Sequence, residues 1–302
     1  MRRRRLTTYG AGAVLGVIAL VGLLGCDLES ILENANVEAV REVTETFAVT
    51  GLTQLQVDSS NGFIVVEAAD TSTVTATARL RSRGETLEKA EARVDAIVYD
   101  MTQEGDVITL RYRSSDQTDD VRRYSGVSFT VTVPRQADID AETSNGDIAV
   151  RGVQGVFDLN TSNGDVELSD LVGTALVDTS NGRIEAERVS GVLDLETSNG
   201  AIYMEDVEAR VDARTSNGRI EFAGIFVGDA HRLRTSNGTI GLRVPADAAL
   251  TFDASTSIGS ITTSLPLTGD TVGRDWNATL NAPATTTLEL RTSNGSIHID
   301  AL

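Results

Sequence analysis

The tetrapeptide Thr-Ser-Asn-Gly returns at a nearly fixed interval through the second half of the chain. Five copies are spaced 18 residues apart, and a sixth follows after 20. A degenerate Thr-Ser-Ile-Gly comes 21 residues later, and the last copy 36 residues after that, which we interpret as two periods with an eroded middle copy. The motif asparagines are Asn145, Asn163, Asn181, Asn199, Asn217, Asn237 and Asn294. A short fixed period indicates rungs that cannot bury their apolar faces alone and have to stack.

Hydrophobic residues hold constant positions around each tetrapeptide. One column, just after the motif, contains Ile148, Val166, Ile184, Ile202, Ile220, Ile240, Ile261 and Ile297. Further apolar positions lie two residues beyond this column, and in pairs such as Phe157 and Leu159 before each motif. Alternation with a period of two places all of them on one face of strands. Since burying one large apolar side chain contributes about 1.5–3 kcal/mol, the stack can sustain a sizeable core.

Two all-β folds agree with this alternation. Asn-Gly is a strong hairpin signal and permits an antiparallel meander, whose apolar face would need a partner layer. A parallel β-solenoid (β-helix) uses the same dipeptide as a corner, because Asn and Gly tolerate positive φ, and buries its own face. Stacked rungs also place identical residues about 4.8 Å apart, where Asn and Thr side chains can form hydrogen-bonded ladders. We therefore predict a parallel β-solenoid of about 18-residue rungs over residues 145–302.

The preceding segment, residues 44–144, carries irregular strand patterns and an early copy of the motif at Asn61. It predicts a β-rich cap that contains the first rungs. Residues 85–94 have apolar positions at helical spacing and predict one short helix.

The N-terminus predicts an export signal. Four arginines are followed by a mostly apolar stretch that is short for a membrane-spanning helix. Its end, Leu-Leu-Gly-Cys, resembles the lipobox of bacterial lipoproteins, which implies removal of residues 1–25 and lipid attachment at Cys26. No second cysteine is present, so there is no disulfide framework. Residues 26–43 lack strand alternation and contain helix-compatible residues. We expect them to form a spacer between the lipid and the folded body, with a packed helix as the alternative.

The repeats resemble a bacterial β-strand-repeat family of unknown function whose members are described as putative adhesins. The resemblance depends on rungs that contain Ser-Asn-Gly, a mostly polar residue and then Ile or Val, on a strand that ends at Pro134, and on the closing segment 292–299. It covers residues 44–302 and implies an adhesin-like β-repeat fold, without specifying an activity.

The formal charge of −18 becomes −18 − 4 = −22 once the four N-terminal arginines are removed. Such a chain repels phosphate backbones, which argues against nucleic acid as a partner. Stacking places Glu167 and Glu185 about 5 Å apart, close to the carboxylate separation of a retaining glycosidase, but any acidic solenoid produces such pairs. The same stacks could offer oxygen ligands to calcium, although the glycine-aspartate nonapeptide of calcium-dependent β-rolls is absent. We expect a solvated acidic face, with no catalytic residue, metal or cofactor.

Two aromatic residues are the candidates for partner contacts. Tyr203 points outward by alternation, in a column otherwise composed mostly of Glu, Ala or Gly. Trp276 lies in an irregular insertion, where it could anchor a partner or plug the end of the solenoid. His231 is expected to be partly buried in its rung, and His298 to point outward.

These observations together favour a non-enzymatic lipoprotein of the cell envelope. We expect it to be anchored in a membrane by its N-terminal lipid, to face the extracytoplasmic side, and to present its solenoid for adhesion or envelope scaffolding. A polysaccharide or a protein of the envelope would be the partner, and self-association is possible. The alternatives are a polysaccharide-active β-helix enzyme and a self-assembling structural polymer whose rungs continue from molecule to molecule.

Overall fold

The computed structural model describes residues 37–302. The predicted signal peptide, Cys26 and the first part of the predicted spacer lie outside these residues. The remainder of the spacer differs from expectation, because the first strand already begins at Val37. Residues 37–43 pair in register with the strand Thr73–Gly84, so backbone hydrogen bonds supply the order that side-chain alternation did not indicate.

Residues 37–302 form strands, two short α-helices and one 3-10 turn (Ser114–Asp116). The strands are β1 (Val37–Ala48), β2 (Thr53–Asn61), β3 (Ile64–Ala69), β4 (Thr73–Gly84), β5 (Asp100–Glu104), β6 (Val107–Tyr112), β7 (Ser125–Pro134), β8 (Ala137–Asn145), β9 (Ile148–Arg151), β10 (Gln154–Asn163), β11 (Val166–Ser169), β12 (Val172–Thr179), β13 (Ile184–Glu187), β14 (Ser190–Thr197), β15 (Ile202–Thr215), β16 (Ile220–Phe226), β17 (Ala230–Asn237), β18 (Ile240–Val244), β19 (Leu250–Ile258), β20 (Ile261–Thr263), β21 (Thr268–Asp270), β22 (Asp275–Leu280), β23 (Thr286–Asn294) and β24 (Ile297–Ala301). The helices are α1 (Leu87–Asp95) and α2 (Asp119–Tyr124).

Each rung of the stack contains one long and one short strand, so the strands form two rows. Row A has the order β5-β6-β2-β8-β10-β12-β14-β15-β17-β23-β19-β22-β21, and row B the order β1-β4-β7-β3-β9-β11-β13-β15-β16-β18-β24-β20. β15 runs through a corner and pairs in both rows, which makes the two rows one continuous sheet. The predicted boundary between the cap and the solenoid, at residue 145, does not interrupt the sheet, because β8 pairs with β10 across it.

The rungs stack in parallel, in the register that the period of 18 predicts. Phe157 of β10 lies opposite Ala175 of β12, and the same offset continues to Leu193 of β14. The parallel β-solenoid is therefore confirmed, and the antiparallel meander is excluded. The inward columns form one hydrophobic core that extends from Ala39 to Ile299.

The asparagines of the motif form one continuous amide ladder at the corner between β8 and β9 and its equivalents. Each Nδ2 donates to the Oδ1 of the preceding asparagine at 2.7–3.0 Å. In spatial order the ladder contains Asn61, Asn145, Asn163, Asn181, Asn199, Asn217, Asn237 and Asn294. Every interior member both donates and accepts, which explains why the residue repeats.

The threonine of the motif faces inward and satisfies a backbone carbonyl. Thr197, for example, is buried, and its Oγ1 donates to the carbonyl oxygen of Gly182 at 2.9 Å. The same contact recurs at every complete motif from Thr143 to Thr292. A hydroxyl at this point removes the cost of a buried carbonyl without a partner.

We predicted that the motif requires glycine because glycine tolerates positive φ. This prediction is wrong for the complete motifs, because their glycines do not have positive φ. The reason is the close approach of the stacked corners. A Cβ atom on Gly182 would lie 1.7 Å from the carbonyl oxygen of Gly164, and one on Gly200 would lie 1.8 Å from that of Gly182. Only a residue without a side chain fits.

The opposite corner, between the short strand of one rung and the long strand of the next, is built differently. Its turn residue has φ of 53–72° and is Gly152, Asp170, Arg188 or Asp206 in successive rungs. The left-handed conformation favours Gly and tolerates Asp, whereas Arg carries strain. Arg188 is held by an ion pair with Asp170 at 2.7 Å.

At the N-terminal end the rungs do not stack in chain order. The rung of β2 and β3 lies between the later rung of β6 and β7 and the array. Strands β4 and β5 pair antiparallel with the outermost rung. The structure contains one helix more than predicted: α2 is capped by Thr118, buries Val121, and is tied to α1 by the pair of Arg93 with Asp120 at 2.7 Å.

The C-terminal end repeats this arrangement and corrects our interpretation of the last interval. β23 inserts between β17 and β19, so Asn294 lies opposite both Asn237 and Ile258. No middle copy has been eroded. Residues 264–285 contain β21 and β22, which pair antiparallel with each other and extend the edge of β19.

Candidate functional site

The outer surface of row A changes charge along the stack. One outward column contains Asn160, Asp178, Glu196, Arg214, Arg234 and Arg291, each in register with the next. The basic half is partly compensated, because Arg234 pairs with Glu289 at 2.6 Å and Arg214 with Asp212 at 2.7 Å. The arginines hold the pKa of Glu289 below its usual range.

The acidic half of this surface repels itself. Partial burial, together with the charges of Asp158 and Asp58, raises the pKa of Asp140. Exposed apolar side chains lie beside these carboxylates: Val156 is 54% exposed and Leu176 is 47% exposed. The face of row A therefore combines carboxylates with singly exposed apolar side chains.

Two carboxylates on the outer surface of row B are engaged by arginines. Glu167 pairs with Arg151 at 2.8 Å, and Glu185 pairs with Arg183 at 2.9 Å. Glu167 and Glu185, whose spacing resembles that of a glycosidase pair, thus each form an ion pair with a different arginine. Asp165 accepts a hydrogen bond from the backbone N–H of Arg183 at 2.7 Å, which gives this acidic column a structural role.

A shallow cleft interrupts the outer surface of row B around Tyr203. Tyr203 lies between Glu185 and Glu221 in one column, and its side chain is half-buried. Arg219, Glu221 and the edges of Asn217 and Asn237 line the cleft with it. The cleft therefore unites one predicted contact residue with two members of the amide ladder.

The second predicted contact residue is not on the surface. Trp276 is 8% exposed, and its indole N–H donates to the carbonyl oxygen of Gly273 at 3.3 Å. It lies on β22, opposite Ala254 of β19, where it closes the C-terminal end of the core. The burial of Trp276 rules out the surface contact and agrees with the alternative that we considered, packing at the end of the solenoid.

The two histidines differ in environment. His231 is buried beside Phe226, accepts a hydrogen bond from the N–H of Val211 at 3.1 Å, and has its pKa lowered by desolvation. His298 is exposed and contacts Thr262 at 2.7 Å. Within residues 37–302, no group of three or more His, Cys, Asp or Glu side chains could hold a metal ion. The same residues include no helix long and apolar enough to cross a membrane.

A family model described as Toastrack DUF4097 matches residues 52–300. The chain belongs to this family. The match begins after β1 and covers the strands from β2 through most of β24. No curated protein matches the chain.

The solved structures to which the chain is similar include three bacterial proteins. A putative adhesin from Parabacteroides distasonis ATCC 8503 is 12% identical with a TM-score of 0.48, and one from Bacteroides fragilis NCTC 9343 is 11% identical with a TM-score of 0.42; each match covers 86% of this chain and 97% of the other. A putative lipid binding protein from the same Parabacteroides strain is 10% identical with a TM-score of 0.34, and the match covers 89% of this chain and 98% of that one.

Sequence reasoning identified Tyr203 but not Arg219 or Glu221 as its neighbours in a cleft. The register was available from the repeat, because Tyr203 and Glu221 are 18 residues apart. What the columns did not reveal is which charges have partners. Arg183 has two carboxylates within 4 Å, whereas Arg219 has none among residues 37–302.

Proposed function

We propose that this member of the Toastrack DUF4097 family is an extracytoplasmic lipoprotein, anchored in a membrane through Cys26. Its β-solenoid would present a non-catalytic surface for adhesion or for scaffolding of the cell envelope. The observation that carries the proposal is the continuous amide ladder, because it holds successive rungs in register and repeats the same outward columns along the stack. Many weak contacts along such a surface add up to firm attachment.

The outward columns can contact a partner at regular intervals only if the solenoid that carries them is rigid. Each rung supplies a buried threonine, a laddered asparagine and a close-packed glycine, so the outward side chains of adjacent rungs keep a constant spacing. A partner with its own repeated units, such as an envelope polysaccharide or a surface protein array, matches this geometry.

The pairing of Glu167 and Glu185 with different arginines favours a binding surface over a polysaccharide-cleaving enzyme. Substitution of both residues by Gln tests this directly. We expect no glycan-cleaving activity in the unsubstituted protein, and loss of a measured cleavage in the doubly substituted, folded protein would refute the non-enzymatic assignment.

The strand order at the two ends bears on the structural-polymer alternative. Antiparallel strands occupy the row A edges at both ends, β5 at one and β21 at the other, in place of open parallel rungs. A second molecule that continued the stack would need parallel edges of matching length. Light scattering should therefore show no filaments as the concentration rises.

Two experiments test the proposal. Co-sedimentation of the protein with cell-wall polysaccharide and with whole envelopes, with and without Ca²⁺, should show retention by at least one of them. Retention by polysaccharide indicates a glycan-binding adhesin, and retention by protein-bearing envelopes alone indicates a scaffold. For the anchor, Cys26→Ala should move the protein from the membrane fraction to the soluble fraction, and an unchanged distribution would contradict lipid attachment at Cys26.

A further inference from the structure

The cleft at Tyr203 exists because two outward positions carry small residues where neighbouring rungs carry long ones. Ala201 lies in the column of Arg183 and Arg219, and Gly241 follows Glu221 in the column of Tyr203. The carboxylate of Glu221 leans over Gly241, since a Cβ there would lie 2.2 Å from Glu221 Oε2. These small residues leave the depression that Tyr203, Arg219 and Glu221 line.

Tyr203 is the one aromatic side chain of the repeat array that is not buried. The other aromatic residues of the array are Phe157, Phe222, Phe226, Phe252 and Trp276, and all of them are buried. A half-buried ring that forms the wall of a cleft presents a rigid apolar surface together with a hydroxyl group.

The charges in the cleft are free to bind another molecule. Within residues 145–302, the other arginines on the outer surface of row B pair with carboxylates: Arg151 with Glu67 and Glu167, Arg183 with Glu185, and Arg243 with Glu205 at 2.8 Å. In the described part of the chain, neither Arg219 nor Glu221 has a charged partner within 4 Å. One strong donor and one strong acceptor thus lie beside the ring of Tyr203.

The opposite signs of these two groups restrict the ligand. Glu221 disfavours an anion such as a phosphate or a uronate, and Arg219 disfavours a cation. A neutral molecule rich in hydroxyl groups can satisfy both, because each hydroxyl donates to a carboxylate and accepts from a guanidinium. The C–H face of a pyranose ring can also cover the apolar face of Tyr203.

We propose that this cleft binds one neutral sugar unit of a polysaccharide, with Tyr203 as the stacking platform and with Arg219 and Glu221 as the hydroxyl-binding groups. This inference rests on the proposed adhesion function and specifies its ligand. A single shallow site binds weakly, and attachment grows when many anchored copies contact one polymer.

The test measures binding of the full-length protein, purified in detergent, to immobilised dextran, mannan and galactan, with polygalacturonate as the charged probe. We expect at least one neutral polymer to bind more tightly than polygalacturonate. Tyr203→Ala, Arg219→Gln and Glu221→Gln should each raise the apparent Kd about tenfold or more, as loss of a central contact does. Tyr203→Phe should keep most of the binding, because the ring remains.

Glu185→Gln is the matched control, since Glu185 is adjacent in the same column and already pairs with Arg183. Its apparent Kd should stay within about twofold of the unsubstituted value, a change too small to indicate a lost contact. Melting temperatures separate loss of binding from loss of folding, because all these side chains point outward.

Tighter binding to polygalacturonate, or equal binding by all variants, would overturn the sugar site. If the protein binds envelopes but no neutral polymer, the cleft assignment fails while the adhesion or scaffolding function stands. If it binds neither envelopes nor polysaccharides, both proposals fail.

Discussion

The two corners of each rung perform the same task, reversal of the chain, with opposite demands on sequence. At the Asn-Gly corner the residues hardly vary, because the ladder, the buried threonine and the glycine contact each depend on the neighbouring rung. At the turn position of the opposite corner Gly152, Asp170, Arg188 and Asp206 are equivalent, because that position requires only a backbone dihedral that several residues adopt at modest cost. Invariance therefore marks contacts between rungs and not the presence of a turn.

The largest expected difference is between two glycine substitutions. Gly182→Ala should destabilise the fold by about 3 kcal/mol or more, because its Cβ would collide with the backbone of the preceding rung at Gly164. Gly152→Ala should cost about 1–2 kcal/mol, since its Cβ meets only Ala68 at 3.5 Å and the penalty is the positive φ. Denaturant unfolding of both variants measures the difference, and equal losses would remove the distinction between the corners.

The buried threonine should have the next largest effect. Thr197→Val leaves the carbonyl of Gly182 without this hydrogen bond and should cost about 1–2 kcal/mol. Ser198→Ala is the control one residue away, because Ser198 is exposed. Its unfolding free energy should change by less than about 0.5 kcal/mol. A similar loss in both variants would show that burial of the threonine does not matter.

The amide ladder should contribute less for each residue, because it is exposed to water. Asn181 donates to Asn163 at 3.0 Å and accepts from Asn199 at 2.9 Å. Asn181→Ala should lower the stability by about 1 kcal/mol, whereas Glu185→Gln, outside the ladder, should change it by less than about 0.5 kcal/mol. Equal melting temperatures would contradict the column assignment.

Lower pH should destabilise the rung that contains His231. It should leave the amide ladder intact, because Asn, Thr and Gly side chains do not titrate. Burial lowers the pKa of His231 in the folded protein, so the unfolded chain takes up a proton first as the pH falls below the ordinary value of about 6.5. Stability should therefore decrease from pH 7 towards pH 5. The His231→Leu variant should lack this part of the pH dependence, and amide exchange at Val211, which donates to His231, should report the opening locally.

The smallest effect is expected at the tolerant corner. Asp206 has φ of 53°. Asp206→Gly relieves the left-handed strain but loosens the unfolded chain, so the two effects should nearly cancel, to within about 0.5 kcal/mol. Thermal unfolding checks this, and a loss comparable to that of Gly182→Ala would mean that both corners are equally constrained.

The array was predictable because its information is local and repeated. The spacing of 18 residues placed Val166 opposite Ile184, and alternation separated the inward Leu168 from the outward Glu167, as the structure shows. Strand β1 of row B was missed because it pairs with a distant strand and shows little alternation in burial. For the cleft, Tyr203 followed from its column, but the free charges of Arg219 and Glu221 depended on distances between side chains in three rungs.

The sequence by itself determined the rung: its length, its inward residues and the three residues that bind it to its neighbours. Only the tertiary structure decided the order of rungs at the two ends. There β2 lies between two strands that come later in the chain, and β23 lies between two strands that come earlier. The physical reason is that equivalent rungs pair equally well with any neighbour in register. Closure of the core at the ends, where Trp276 packs and antiparallel strands complete the sheet, selects one order among them.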